Sequence, residues 1–243
     1  NFNVIDFDQT IRQMSSEEMF AFINRILQQA IPDVVQSEGM IETFQDGGFT
    51  ALYPDECEKA LNAAVSICQR LNSLGQENRS YSVGIAYGSV MLGVVGDQAR
   101  MSALSISQQT AVAGFLQKLA PKYYSHILIT GSAASQIEDL FQLYHVRTIG
   151  YLYNTFTNRM EKIYDVYDGD NEEDRRRKDM TRQMFEKGVS LFCARKFYEA
   201  RNAFVEVLKQ FRRDAAAREY LYLCNQYYQR DDAGEIDIYI ERF

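Results

Sequence analysis

The stretch Ile41-Glu42-Thr43-Phe44-Gln45-Asp46-Gly47-Gly48-Phe49-Thr50-Ala51-Leu52-Tyr53 decides the fold. Two short strand-like runs meet at Asp-Gly-Gly, and such a pair between apolar runs is the strongest short-range signal for a β-hairpin. Helices flank the hairpin. Ser15, followed by Ser16-Glu17-Glu18, reads as an N-cap with acids in the first turn. Met19, Phe20, Ile23, Ile26 and Leu27 then recur at helical spacing. Pro32 opens a second helix in this reading, and Gly39 closes it. After the hairpin, Asp55 caps a helix reaching Leu74, with a wide apolar stripe at Ala60, Leu61, Ala64, Val65, Ile67, Cys68 and Leu71.

Further along, residues 76–79 read as a polar loop. Tyr81–Tyr87 and Val90–Val95 read as a second strand pair turned at Gly88-Ser89. Residues 108–119 read as a helix ended by Pro121, and His126–Thr130 as a strand. Residues 140–153 and 162–167 read as the last strands, and an opening strand occupies residues 1–8. Hairpins interspersed with helices predict an α+β sheet layered against helices.

Composition bounds the function. A formal charge of −7 over 243 residues argues against a nucleic-acid partner, which would require a basic face. No run of about 18 apolar residues is present, so no membrane span is expected. No signal peptide is visible, and a chain beginning at Asn1 leaves upstream segments open. Cys57, Cys68, Cys193 and Cys224 show no paired spacing and read as buried free thiols of a reducing compartment, which places the protein in the cytoplasm. The two histidines, His126 and His145, lie in apolar strand-like runs, a poor setting for a triad or a zinc site.

The hairpin resembles the central hairpin of class III nucleotidyl cyclases, whose pattern is Lys-Phe-x-Gly-Asp-x-x-x-x-Phe. Val83-Gly84-Ile85 through Gly93-Val94-Val95-Gly96 is similar to the family's Gly-Ile-x-x-x-x-Gly-x-Val-x-x-Gly-x-x-Gly, two residues shorter at its turn. Arg100-Met101 resembles the Arg-Met that introduces its purine-contacting segment. Ile127–Thr130 and Lys162–Tyr167 resemble its late core strand and its closing strand. The resemblance covers residues 1–168 and implies the ferredoxin-like α+β fold of nucleotidyl cyclases, acting as a dimer.

Cyclisation of a nucleoside triphosphate needs two cations bridged by two carboxylates, because hard ions take oxygen ligands. It also needs an Asn to orient the ribose and an Arg to stabilise charge at the α-phosphate. In the family, one chain binds the metals and the other supplies Asn and Arg. By resemblance, the purine-reading Lys falls on Thr43 and the second purine contact on Gln108. The Asn position falls on Ala111 and the Arg position on Phe115. Losing such an Arg costs on the order of a thousandfold in rate. The metal carboxylates fall on Asn3 and Gly47 without gaps, or on Asp6 and Asp46 with shifted registers. The register through Asp6 leaves a full strand before it. Asp at a strand end or a turn is also common for purely structural reasons.

Beyond residue 168 the composition changes. Residues 169–180 carry a charge run, Glu172 to Asp179, expected as a solvated linker helix. Residues 181–230 place Gly188, Leu191, Ala200 and Phe204 at tetratricopeptide spacing. A single repeat cannot bury its face alone, so it must pack on the body, on a second chain or on a partner. The stripe Phe192, Phe197, Phe204, Tyr220, Leu223, Tyr227 reads as core. Residues 231–243 form a tail in which Ile236–Ile240 alternates like an edge strand.

These readings converge on a degenerate cyclase homology domain without catalysis, dimerising as a signalling module with a copy of itself or another cyclase-like chain. No cofactor is expected in that case. A heterodimeric enzyme with Asp6 and Asp46 on magnesium or manganese is the alternative, and a scaffold with a protein partner at the helical tail is a third.

Overall fold

The hairpin forms where the Asp-Gly-Gly signal placed it, as β2 (Met40–Gln45) and β3 (Gly48–Leu52), in a computed structural model. The model describes residues 1–5, 7, 12, 14–45, 47–54, 56–73, 81–96, 101–155, 157–228 and 241–243. Asp6, Asp46, Asp55, Arg100, the loop at 76–79 and the run Ile236–Ile240 lie outside the described residues.

The elements follow in the order β1 (Phe2–Val4), α1 (Ser16–Gln36), β2, β3, α2 (Cys57–Ser73), β4 (Tyr81–Ile85), β5 (Met91–Gly96), β6 (Met101–Ile106), α3 (Gln108–Leu119), β7 (Ile127–Thr130), two single-turn helices α4 (Gly131–Ala134) and α5 (Leu140–Leu143), β8 (Val146–Asn154), β9 (Arg159–Val166), α6 (Glu172–Cys193), α7 (Phe197–Gln210), α8 (Ala215–Tyr228) and β10 (Glu241–Arg242). Among the described residues the main sheet has eight strands in the order β10-β8-β9-β7-β4-β1-β3-β2. β4–β7 and β8–β10 pair parallel and the other neighbours antiparallel.

Two cores hold the layers together. On one face Phe2, Phe49, Val83 and Ile129 meet Ile26 and Ala30 of α1 and Leu61, Ala64 and Ile67 of α2. On the other, Leu128, Ile149, Leu152 and Ile163 meet Val112 and Leu116 of α3 and Phe185, Phe204, Val207 and Tyr220 of the C-terminal helices. The second core answers where the tail packs: on the body. Phe204 and Tyr220 stack with centroids 4.8 Å apart, so Phe192, Phe204 and Tyr220 of the aromatic stripe are interior, with Phe197, Leu223 and Tyr227 half-buried beside them. All four cysteines are free.

Several sequence expectations are corrected. α1 is one helix that runs through Pro32, not two. Proline removes the bond to the Gln28 carbonyl, but the buried face Ile26, Ala30, Val34 continues across it, and buried Asp33 pairs with Arg70 at 2.7 Å. Tyr81–Ile85 does not pair with the strand after Gly88-Ser89. Both its edges are taken, by β1 and β7, so β5 turns away and pairs with β6 as a separate ribbon. Leu140–Leu143 is a helical turn, and the strand starts at Val146.

The charge run 172–179 is helical, and Glu172, Glu173, Arg176, Arg177 and Asp179 are exposed, but it does not stand apart as a linker. It forms the first turns of the continuous helix α6, capped by Asn171. Asp174 and Lys178 on it are buried: Asp174 accepts from the Tyr124 hydroxyl at 3.0 Å, and Lys178 meets Asp165 at 2.7 Å and Asp170 at 2.8 Å. Of the described residues, no helix is long and apolar enough to cross a membrane.

Candidate functional site

The positions singled out for nucleotide chemistry fall on the β2–β3 hairpin, on β1 and on α3. Among the described residues β2 is one of the two edge strands of the sheet, and Thr43 on it is exposed, opposite Thr50 of β3. Its side is the one that α3 partly covers. Thr50 Oγ1 accepts a hydrogen bond from Asn1 Nδ2 at 3.1 Å. Phe44 pairs across the hairpin with Phe49, yet 58% of it stays exposed.

At the hairpin tip Gly47 holds φ at +79°, in the left-handed region that glycine tolerates best. A Cβ there would stand 2.5 Å from the Phe7 ring. Gly48 lies directly against β1, where a Cβ would approach the Phe2 carbonyl to 2.1 Å and Asn3 Cα to 2.7 Å. The fold therefore brings the ungapped positions Asn3 and Gly47 to the same end of the sheet. The Asn3 side-chain oxygen is buried there with no hydrogen-bond partner among the described residues. An amide and a glycine offer no carboxylate for a divalent ion. Asp6 and Asp46, which would, lie outside the described residues. Of the described residues, no group of three His, Cys, Asp or Glu stands together to hold a metal ion.

Helix α3 starts at Ser107, whose hydroxyl accepts from the Gln109 N–H at 3.0 Å and donates to the Ser89 carbonyl at 2.8 Å. That second bond ties the helix start to the link between β4 and β5. At the other end Ser82 Oγ donates to the Gln117 carbonyl, and Gln117 Nε2 donates back to Ser82 Oγ, at 2.9 and 2.8 Å. Between them the helix lies on Gly84, where a Cβ would sit 2.0 Å from the Ala113 carbonyl oxygen.

This seating sets which side of α3 faces what. Gln109, Thr110 and Ala113 turn to a cavity of about 480 Å³ beside the sheet. Gln108 and Ala111 turn to solvent. Phe115 is half-buried with its ring 5.1 Å from that of Phe243, so Ala111 and Phe115 are not on the cavity side. Chemically the surface at these positions is a hydroxyl, an amide, a methyl and a covered phenyl ring. None of them carries the positive charge that a phosphate needs.

Two features were beyond sequence reasoning. One is Phe243 on Phe115: the chain end is held by backbone bonds from Phe243 N–H to the Tyr153 carbonyl and from Thr155 N–H to the Phe243 carbonyl, both 2.9 Å. The other is a buried charge cluster beneath α6. Arg147 Nε donates to Asp165 Oδ2 at 3.0 Å, and Ser125 Oγ donates to the other oxygen of Asp165. Burial pushes the Asp165 carboxyl up, but the Lys178 and Arg147 charges outweigh it and hold it below the usual carboxylate range. The Arg-Arg-Arg-Lys run was the one signal, hidden by its acidic neighbours.

No family model matches the chain. Its sequence is similar to the terminal-differentiation-specific adenylate cyclase of Dictyostelium discoideum, 24% identical over 92% of the chain but 11% of that relative. It is also similar to an adenylate cyclase of Anabaena cylindrica, 27% identical over 51% of the chain and 27% of the relative. The chain thus spans a small part of the curated relatives it matches. The first match covers more than the sheet body and reaches into the C-terminal helices. Among solved structures, a bacterial light-regulated adenylyl cyclase superposes with a TM-score of 0.60 over 69% of the chain and 49% of its own length, at 15% identity. The adenylyl cyclase CyaB from P. aeruginosa superposes with a TM-score of 0.56 over 68% of the chain and 90% of its own, at 17% identity. Sequence relatives and fold agree: the chain has the class III nucleotidyl cyclase fold and is similar in sequence to adenylate cyclases.

Proposed function

We propose that this cyclase homology domain makes no cyclic nucleotide and works as a dimerising regulatory module. The observation that carries the reading is helix α3, whose residues 111 and 115 present a methyl group and a phenyl ring covered by Phe243. Neither can orient a ribose or neutralise a phosphate, and no stabilisation of the developing charge is available from them. Thr43 on the open edge strand likewise lacks the charged reach of a purine-reading lysine. The β5–β6 ribbon supports self-association: Met91, Leu92, Val94 and Ile106 are each about 60% exposed or more, on two strands that carry no charged residue of their own. The direct test is the purified chain with ATP or GTP and manganese. No product above background is expected, and measurable cyclic nucleotide overturns the reading.

A second reading rests on the contact between β1 and the hairpin tip at Gly48. Asp6 and Asp46, within a few residues of Asn3 and Gly48 in sequence, would hold magnesium or manganese while another, intact cyclase chain provides Asn and Arg. Co-expression with such a chain should then give activity that Asp46→Ala abolishes; activity unchanged by the substitution removes this reading.

A further inference from the structure

Helices α7 and α8 each bury one face, with Phe204 and Val207 from α7 and Ala217 and Tyr220 from α8. Their outer faces meet along a seam. At one end Tyr198 and Tyr228 face each other with ring centroids 5.9 Å apart, and they are 54% and 64% exposed. One turn further along, Arg201 Nε donates to Asn225 Oδ1 at 2.9 Å across the seam. Val205, Leu208, Lys209, Arg212 and Leu221 then line a shallow groove of about 390 Å³. Arg218 closes this end, donating to the Arg212 carbonyl at 3.2 Å.

The hairpin is basic on an acidic chain. Residues 195–218 hold seven Lys and Arg against three acids, although the chain as a whole carries −7. Of the three, Asp214 is buried with Arg147, and Glu206 is held by Lys209 at 2.6 Å. Arg201, Arg212 and Arg218 form no ion pair among the described residues. Unanswered cations beside an apolar floor match a partner that carries both acids and apolar side chains.

We infer that the seam between α7 and α8 docks an acidic, amphipathic helix of a partner protein. Its apolar stripe lies on Val205, Leu208 and Leu221, and its carboxylates stand beside Arg212 and Arg218. The shape is that of a helix, since two neighbouring helices present a groove into which the ridge of a third fits. From Tyr198 to Arg212 the helical rise gives a seam of about 20 Å, long enough for about four turns.

A nucleic acid or an anionic lipid surface would meet the same cations. Outside residues 195–218, however, acids outnumber Lys and Arg by 30 to 19, which repels an extended polyanion. Phosphates also gain nothing from the apolar floor, whereas a leucine stripe removes it from water. The inference goes beyond the catalytic reading and holds whether or not the chain makes cyclic nucleotide.

The test selects helical peptides of about 18 residues, randomised on one face, from a display library against the full chain. Enriched sequences are expected to carry an apolar stripe flanked by Asp and Glu. Arg212→Glu with Arg218→Glu should weaken the best peptide by about tenfold or more. Arg176→Glu with Lys187→Glu makes the same charge change at exposed positions of α6 and should leave binding unchanged. No enrichment, a neutral or basic consensus, or equal weakening by both pairs overturns the inference. Phosphatidylserine vesicles or single-stranded DNA that bind the chain and are released by Arg212→Glu with Arg218→Glu assign the seam to a polyanion and overturn it. Self-association abolished by that pair assigns the seam to a second copy and overturns it too.

Discussion

Arg147 of β8 and Asp214, just ahead of α8, form an ion pair with both side chains fully buried, Nη1 to Oδ2 at 2.5 Å across 67 residues of sequence. Asp165 of β9 bridges Arg147 to Lys178 of α6, and Lys178 reaches Asp170. Sheet and C-terminal helices are therefore joined by charge as well as by the apolar core that Phe185, Phe204 and Tyr220 complete.

Removing one partner of such a cluster leaves the others charged and desolvated. Arg147→Met should destabilise the chain by about 3–5 kcal/mol, since Asp165 and Asp214 lose their shared cation. Urea unfolding followed by circular dichroism measures it. A loss below about 1 kcal/mol would mean that water reaches the cluster.

The same cluster predicts a pH dependence. The Asp165 carboxyl is held below its ordinary value in the folded chain. Such a group contributes stability that is present above the unfolded carboxylate pKa of about 4 and is lost as pH falls through the lower folded value. Stability should fall on acidification below about pH 4, and Asp165→Asn should flatten that fall while lowering stability at neutral pH.

Truncation after Gly169 removes the layer that covers Leu128, Ile149, Leu152 and Ile163. The resulting fragment should expose this face and aggregate or bind a hydrophobic dye. A monomeric, cooperatively unfolding fragment would show that the helices are an accessory rather than half of the second core.

Gly84→Ala places a methyl group where the Ala113 carbonyl oxygen stands 2.0 Å away. Backbone atoms cannot swing aside as a side chain can, so α3 must lift from β4. A destabilisation of about 2–4 kcal/mol is expected, within the range of overpacked sites. Hydrogen exchange should localise the loss to α3 and the Ser82–Gln117 bonds.

Under the proposed dimerisation, Leu92→Asp with Val94→Asp should shift sedimentation of the chain toward the monomer and remove the concentration dependence of its thermal midpoint, leaving the midpoint of the dilute monomer unchanged. Both residues are more than 60% exposed, so the substitutions disturb no interior packing.

Local rules carried the sequence reading where the signal was local. The Asp-Gly-Gly turn gave the hairpin, and Ser15 with Glu18 forms a full capping box, the Glu18 carboxylate accepting from Ser15 N–H at 2.8 Å. The helix read over 108–119 has those same ends. The reading failed where pairing is non-local. Nothing near Tyr81–Ile85 announces that β1 and β7 will claim both its edges, so the neighbouring strand in sequence was taken for its partner. Within the charge run of α6, the burial of Lys178 was missed for a related reason: it depends on Asp165 and Asp170, and only the folded chain brings those together. At the candidate site, the substitutions at 43, 111 and 115 were legible one by one, whereas the cover over Phe115 comes from a residue at the far end of the chain.

Under the proposed reading, an arginine placed at position 115 would meet the Phe243 ring, which is anchored through the backbone of β8, while position 111 would still carry only a methyl group. Two stretches far apart in sequence would then have to change together for the helix to grip a nucleotide.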